Sequence, residues 1–353
     1  MNNLKEINEE FFKPYRTVME YIGLTGLNIF DEKGRGLSKM RYFYVFYFIF
    51  HVISMSCHWV FIIREFSKGT KLIEIPVEFS YCNNNLEALL IFIQLLRRKD
   101  HIKAFVFEME KEWRKDESLS PELVVMKKKL LKETYLYNYT MIVAYEMQCS
   151  QYIITISMNY LRILFLIIQV EYKEIIALKN NEDKDKLFKE TISRHSRLLD
   201  LLANVSTTFG CLFAINYIFL SSTICFCILS ACVNGSLEDL KILSISLLVI
   251  INVFYCCKSG ENLVNAASEV STAIYDTPWY ECSYQHKRDI LFILMRSQRV
   301  AYVTSTSFIK ISLKTFIRVI TAIKDGKVSS FNDRKSNETA NLFSKQILAT
   351  VYL

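Results

Sequence analysis

A chain of 353 residues with 51% hydrophobic side chains, four prolines and nine glycines excludes a loop-rich all-β fold and fits long helices. Its net charge of +7 does not mark a nucleic-acid partner. The Lys and Arg residues sit in connectors between apolar runs of about 20 residues, the length a membrane helix needs, and they orient those runs.

Residues 1–41 form a polar, basic arm without the apolar core of a signal peptide, and Lys33, Arg35, Lys39 and Arg41 abut the first apolar run, 42–63. A second run, 72–96, carries Glu74, Glu78, Asn83, Asn84, Asn85 and Glu87. Polar groups at such depth either mate with neighbouring helices or line a polar cavity, and both readings stay open. The connector 97–133 is strongly basic and therefore cytoplasmic.

Residues 135–172 are apolar apart from Glu146, Arg162 and Glu171, and 173–202 is again rich in Lys and Arg. Two cytoplasmic flanks require an even number of crossings. Thirty-eight residues supply two thin ones with no outer turn of ordinary length. A clear span follows at 207–231. Its outer link, CVNGSLEDL, holds the sequon Asn234-Gly235-Ser236, and 241–257 returns inward. Residues 258–300 alternate charged and apolar residues at helical spacing and break near Pro278. In 301–323, Lys310, Lys314 and Arg318 are four apart and share a helix face. After Ile323 come Lys324, Asp325, Lys327, Asp333, Arg334 and Lys335, each costing about 2.5–3.5 kcal/mol at a bilayer centre.

Enzymatic constellations are missing from the sequence. Its five histidines form no H-E-x-x-H, and neither G-x-S-x-G nor a P-loop occurs. The ten cysteines have no metal-ligand spacing and mostly lie in apolar runs, as buried thiols do. No cofactor and no metal is expected. The D-R-Y and N-P-x-x-Y signatures of rhodopsin-like receptors are absent too, as are the paired repeats of transporters.

The stretch HSRLLDLLANVSTTFGCLFAINYIFLSSTICFCILS, followed by YCCKSGENLVNAASEVSTAIYDTPWY, resembles insect odorant receptors. The matching positions are His195, Cys257, Gly260, Glu261, Ser268, Ala273, Tyr275 and Trp279, then Arg296, Gln298 and Phe316. The resemblance implies an all-α, polytopic membrane bundle of the seven-helix odorant receptor type, with N-terminus inside and C-terminus outside. Its parts would be a cytoplasmic arm (1–41), a transmembrane bundle (42–257), intracellular anchor helices leading into a seventh helix (258–323) and an atypical polar tail (324–353).

The resemblance also implies function. The chain would be one subunit of a cation channel, assembled with the odorant co-receptor as a heterotetramer in the plasma membrane of olfactory sensory neurons. A small volatile odorant would open it. Tyr275, Trp279 and Phe316 would serve subunit contact in the anchor. Aromatic and apolar side chains in the outer halves of the third to sixth spans, Tyr145, Met147, Tyr152, Tyr217 and Phe219, are the candidate odorant contacts.

Two departures stand out. ITISMNYLRILFLIIQ runs straight through where the family carries a long outer loop, and the polar tail replaces the pore segment. They are expected from an alternative or mispredicted transcript with six crossings, a cytoplasmic C-terminus and no pore-lining helix. A gustatory receptor, or a non-channel multispan receptor or transporter, is the alternative.

Overall fold

A computed structural model describes residues 10–15, 37–69, 76–144, 149–178, 181–233, 237–298, 302–305, 309–318 and 320–321. These form a helical bundle. Residues 10–15 make a short helix, α1. Then follow α2 (Leu37–Ser67), α3 (Pro76–Lys111), α4 (Pro121–Ala144), α5 (Cys149–Ala177), α6 (Asn181–Val233), α7 (Leu237–Tyr275) and α8 (Tyr284–Gln298). A two-residue antiparallel pair, β1 (Thr304–Ser305) with β2 (Ile309–Lys310), joins Thr304 to Lys310 and Ser305 to Ile309.

Local chemistry sets the boundaries. Pro76 and Pro121 open α3 and α4, where a fixed φ helps and a missing N–H costs nothing. Gly69, at φ +83°, follows the end of α2, and its N–H donates to Phe66 O at 3.0 Å. Pro278 stops the helical path after α7. Ser283 Oγ then caps α8 by accepting the His286 N–H at 3.4 Å.

α5 is the spine of the bundle. Most of its side chains from Gln151 to Ile168 are buried. It runs parallel to α7: Asn159 Nδ2 donates to Tyr255 Oη at 3.4 Å and Gln169 Nε2 to Ala266 O at 2.7 Å. That offset of about 97 residues sets Cys149 level with residue 246, roughly 14 Å below the outer start of α7 at 1.5 Å per residue. α4 stops at the same depth. Tyr137 Oη donates to Asn252 Oδ1 at 3.0 Å, and only about seven more residues, roughly 10 Å, remain before α4 ends.

The α4–α5 hairpin therefore reaches about halfway up the bundle. Where the sequence asks for two thin crossings, each arm extends only about 10–15 Å beyond the level where Tyr137 meets Asn252 and Asn159 meets Tyr255, half of a core about 30 Å thick. By length and apolarity, Gln151–Ala177 could cross a membrane, as could parts of α6 and α7. Packing places its lower half elsewhere. Tyr160 stacks on Trp113, two residues beyond α3 in the basic connector, at 4.8 Å, and Glu171 pairs with Arg194.

At this end of the bundle residues 10–15 of the N-terminal arm are part of the core. Phe11 and Tyr15 are fully buried; Tyr15 Oη lies 2.9 Å from Ser157 Oγ, and Tyr160 Oη donates to Phe11 O at 3.2 Å. Lys127 is buried beneath them. Its ammonium donates to Glu10 Oε2 (2.9 Å), Asp116 Oδ1 (2.8 Å) and Arg114 O (2.9 Å) and sits 4.9 Å from the Trp113 ring centroid. A buried ammonium is tolerated only when its donors are used in this way. Burial pushes the Asp116 carboxyl up, but Lys127 and Lys128 outweigh it and hold the group below its ordinary value.

Candidate functional site

The Asn run of the second apolar segment mates with a neighbouring helix. Asn83 Nδ2 donates to Phe219 O and Thr223 Oγ1, both at 2.9 Å, while Ser222 Oγ donates to Asn83 Oδ1 and Thr223 Oγ1 to Asn84 Oδ1, also at 2.9 Å. Antiparallel α3 and α6 are stitched again lower down, where Arg98 Nη1 donates to Thr207 O at 2.9 Å. Asn83→Leu removes three of the upper bonds. Interhelical hydrogen bonds of this kind are worth about 1–2 kcal/mol at most, so a modest fall in melting temperature in detergent is expected.

The residues named for odorant contact separate. Tyr145 and Met147 lie outside the described residues, as does Glu146. Tyr152 is fully buried in the main core. Tyr217 is buried too, stacked on Phe213 at 6.0 Å, and its hydroxyl donates to Thr315 O at 3.4 Å. Phe219 is half-buried, and its carbonyl accepts from Asn83.

Tyr217 thus faces the segment that begins the last apolar run. Residues 302–305 and 309–318 dock along α6 and α7 through several independent contacts. Thr304 N–H donates to Ser206 Oγ (2.9 Å), Ser305 Oγ to Gly210 O (3.1 Å) and Leu313 N–H to Glu261 Oε2 (2.7 Å). Phe316 meets Phe254 at 5.5 Å, ring to ring. Gly260 is the point of closest approach: a Cβ there would stand 2.7 Å from Ile311 Cγ2 and 3.0 Å from Ile311 O. Only glycine leaves that space.

The docking brings Phe316 and its neighbours against Gly260 and Glu261 of α7, and all three are positions that carry the sequence resemblance. The 7tm Odorant receptor family profile matches residues 111–323, more than half of the chain. The chain belongs to the 7tm odorant receptor family. It is 31% identical over 144 residues to odorant receptor 67c of Drosophila melanogaster, covering 40% of this chain and 35% of that one. It is 30% identical over 141 residues to odorant receptor 85b of the same species, covering 39% and 36%. The chain thus spans about a third of the length of these curated relatives.

The fold agrees. The insect olfactory receptor OR5 from Machilis hrabei superposes with a TM-score of 0.70 at 9% identity, over 90% of this chain and 98% of that one. The same receptor in complex with eugenol gives 0.62. This odorant receptor is accordingly a helical membrane protein and no enzyme.

Below the bundle, the receptor shows an aromatic face. Tyr275 is 66% exposed and Tyr284 85% exposed, with Tyr280, Leu291, Phe292 and Met295 also exposed. The opposite side of α8 holds it in place through buried His286, Ile290, Ile293 and Ser297. Trp279 is half-buried against the core, its ring 6.5 Å from Tyr275, so it props the face more than it extends it. Phe316 packs inward on Phe254.

Proposed function

We propose that the chain is an odorant-binding subunit of a ligand-gated cation channel, working beside the odorant co-receptor in the plasma membrane of olfactory sensory neurons. The observation that carries this reading is the docking of 302–305 and 309–318 along α6 and α7. It ties the start of the seventh helix to the membrane helices that would enclose a small volatile molecule. A directly gated subunit needs such a link, because a ligand shifts an equilibrium only through contacts that differ between its states.

The exposed aromatic face around Tyr275, Tyr284 and Phe292 supports assembly, since aromatic side chains dominate the buried centres of interfaces. The charged residues from Lys324 to Lys335 favour a subunit that conducts only in company. Co-expression with the co-receptor is expected to give a volatile-evoked current that neither the chain alone nor blocked G-protein signalling reproduces or removes. A response abolished by G-protein blockade, or failure of the two proteins to co-purify, would overturn the proposal.

A further inference from the structure

One exposed stripe on α7 changes character at a single point. Leu247, Ile251, Phe254 and Lys258 follow one another at helical spacing, so they share a face, and all four are exposed. The first three are apolar. Lys258 ends the uncharged run from Ile242 to Cys257. Its ammonium leans back over the Phe254 ring, 6.0 Å from the centroid.

The docked segment adds three cations beside it. Phe316 meets the same Phe254 ring at 5.5 Å. Lys314 and Arg318 flank Phe316 and stand one turn apart on the helical stretch 313–318. Lys310 lies in β2 rather than on that helix, but its carbonyl accepts from Thr315 Oγ1 at 2.7 Å, which roots it against the same turn. Its ammonium sits 3.9 Å from the centroid of the exposed Tyr302 ring.

No carboxylate neutralises this group. Glu261, one turn along α7 from Lys258, accepts the Leu313 N–H at 2.7 Å. Among the described residues, none of the four exposed cations is in an ion pair. Lys314 and Arg318, four apart on one helix, repel each other unless an anion lies between them.

We infer that Lys258, Lys310, Lys314 and Arg318 receive the polyphosphate headgroup of an anionic membrane lipid, whose acyl chains lie along Leu247, Ile251 and Phe254. Lysine side chains are long and rotatable, so charges rooted on adjacent turns converge on one headgroup. Basic clusters where membrane helices leave the bilayer bind such headgroups by charge. The apolar stripe selects a lipid over a free polyphosphate or an acidic peptide, because only a lipid presents hydrocarbon and then phosphate along the helix. The headgroup bridges α7 and 309–318 and so holds that segment docked.

The test uses the full chain in an uncharged detergent, with dioctanoyl phosphatidylinositol bisphosphate as probe. The readout is the ligand-induced rise in melting temperature, titrated to an apparent Kd. Dioctanoyl phosphatidylcholine, soluble inositol trisphosphate and a hexaglutamate peptide are the comparison ligands. A saturable rise is expected with the bisphosphate lipid, none with phosphatidylcholine, and binding at least about tenfold weaker with the two soluble anions. Each basic side chain near a lipid headgroup is worth about fivefold in affinity. Lys314→Gln with Arg318→Gln should therefore weaken the lipid about 25-fold, and Lys258→Gln about fivefold. Lys129→Gln with Lys132→Gln removes the same charge from exposed positions on α4 and should leave binding unchanged. Each variant's unliganded melting temperature shows whether it still folds. An equal rise with phosphatidylcholine, an equal loss from the α4 pair, or a soluble anion that binds as tightly as the lipid would overturn the inference.

Discussion

Replacing Arg194 by methionine is expected to destabilise the receptor by about 3–5 kcal/mol, the cost of removing one member of a buried ionic cluster. Arg194 is 4% exposed and pairs with Glu171 and, at 3.5 Å, with Glu112. Arg197 reaches Glu112 at 2.5 Å, and Arg114 reaches Glu171 and Glu190 at 3.5 Å. These outer arginines are a third to half exposed and hold only the rim. Without Arg194, two poorly solvated carboxylates face each other across α3, α5 and α6 with too little positive charge between them. The measurement is the temperature at which the detergent-solubilised protein loses its monodisperse elution peak. Adding Glu171→Gln to Arg194→Met should recover part of the loss, because it removes one of the stranded charges. A full-sized loss from Arg197→Met, with Arg194→Met harmless, would reverse this assignment.

Gly260→Val is expected to act on signalling before it acts on folding. The new Cβ would press on Ile311 Cγ2, which can rotate away, and on Ile311 O, which cannot. Overpacking of this kind costs about 1–3 kcal/mol, and the chain can relieve it by lifting 302–318 off α7. That movement would break the Glu261–Leu313 bond and withdraw Thr315 from Tyr217. Volatile-evoked current beside the co-receptor should therefore be lost, while the amount of co-purified complex stays near wild type. Ile311→Ala should restore the current only partly, since the carbonyl clash remains. Normal current from Gly260→Val would show that the docked segment does not couple ligand to gate.

Much of the architecture was legible because hydrocarbon and water sort side chains so sharply. The apolar runs 42–63, 207–231 and 241–257 fall inside α2, α6 and α7. The reading divided 173–231 into a polar connector and a span, whereas α6 is one helix of 53 residues. Its first half is amphipathic, burying His195, Leu198, Leu199 and Leu202.

Tertiary relations were harder to see. Nothing in MNNLKEINEEFFKPY announces that Phe11 and Tyr15 close a core around Trp113 and Tyr160, because a two-aromatic patch is too short to show a period. The crowded run 135–172 signalled an anomaly, but its depth emerges only from the register of Asn159 and Gln169 on α7. The site was least legible. Aromatic type and depth selected Tyr152 and Tyr217, which are core residues. Glu87, already visible as costly in lipid, is buried with one carboxyl oxygen unpaired.

By the register of Asn159 and Gln169 on α7, α4 and α5 end about halfway up the bundle. Glycosylation mapping tests it most directly. A long sequon-bearing loop is inserted either between Ala144 and Cys149 or into the α6–α7 link at 234–236, and the protein is expressed in cells with intact secretory membranes. An endoglycosidase-sensitive gel shift is expected from the α6–α7 insertion alone, because α4 and α5 end about halfway up the bundle. Equal modification at both sites would mean that α4 and α5 reach the outer surface, and would contradict the account.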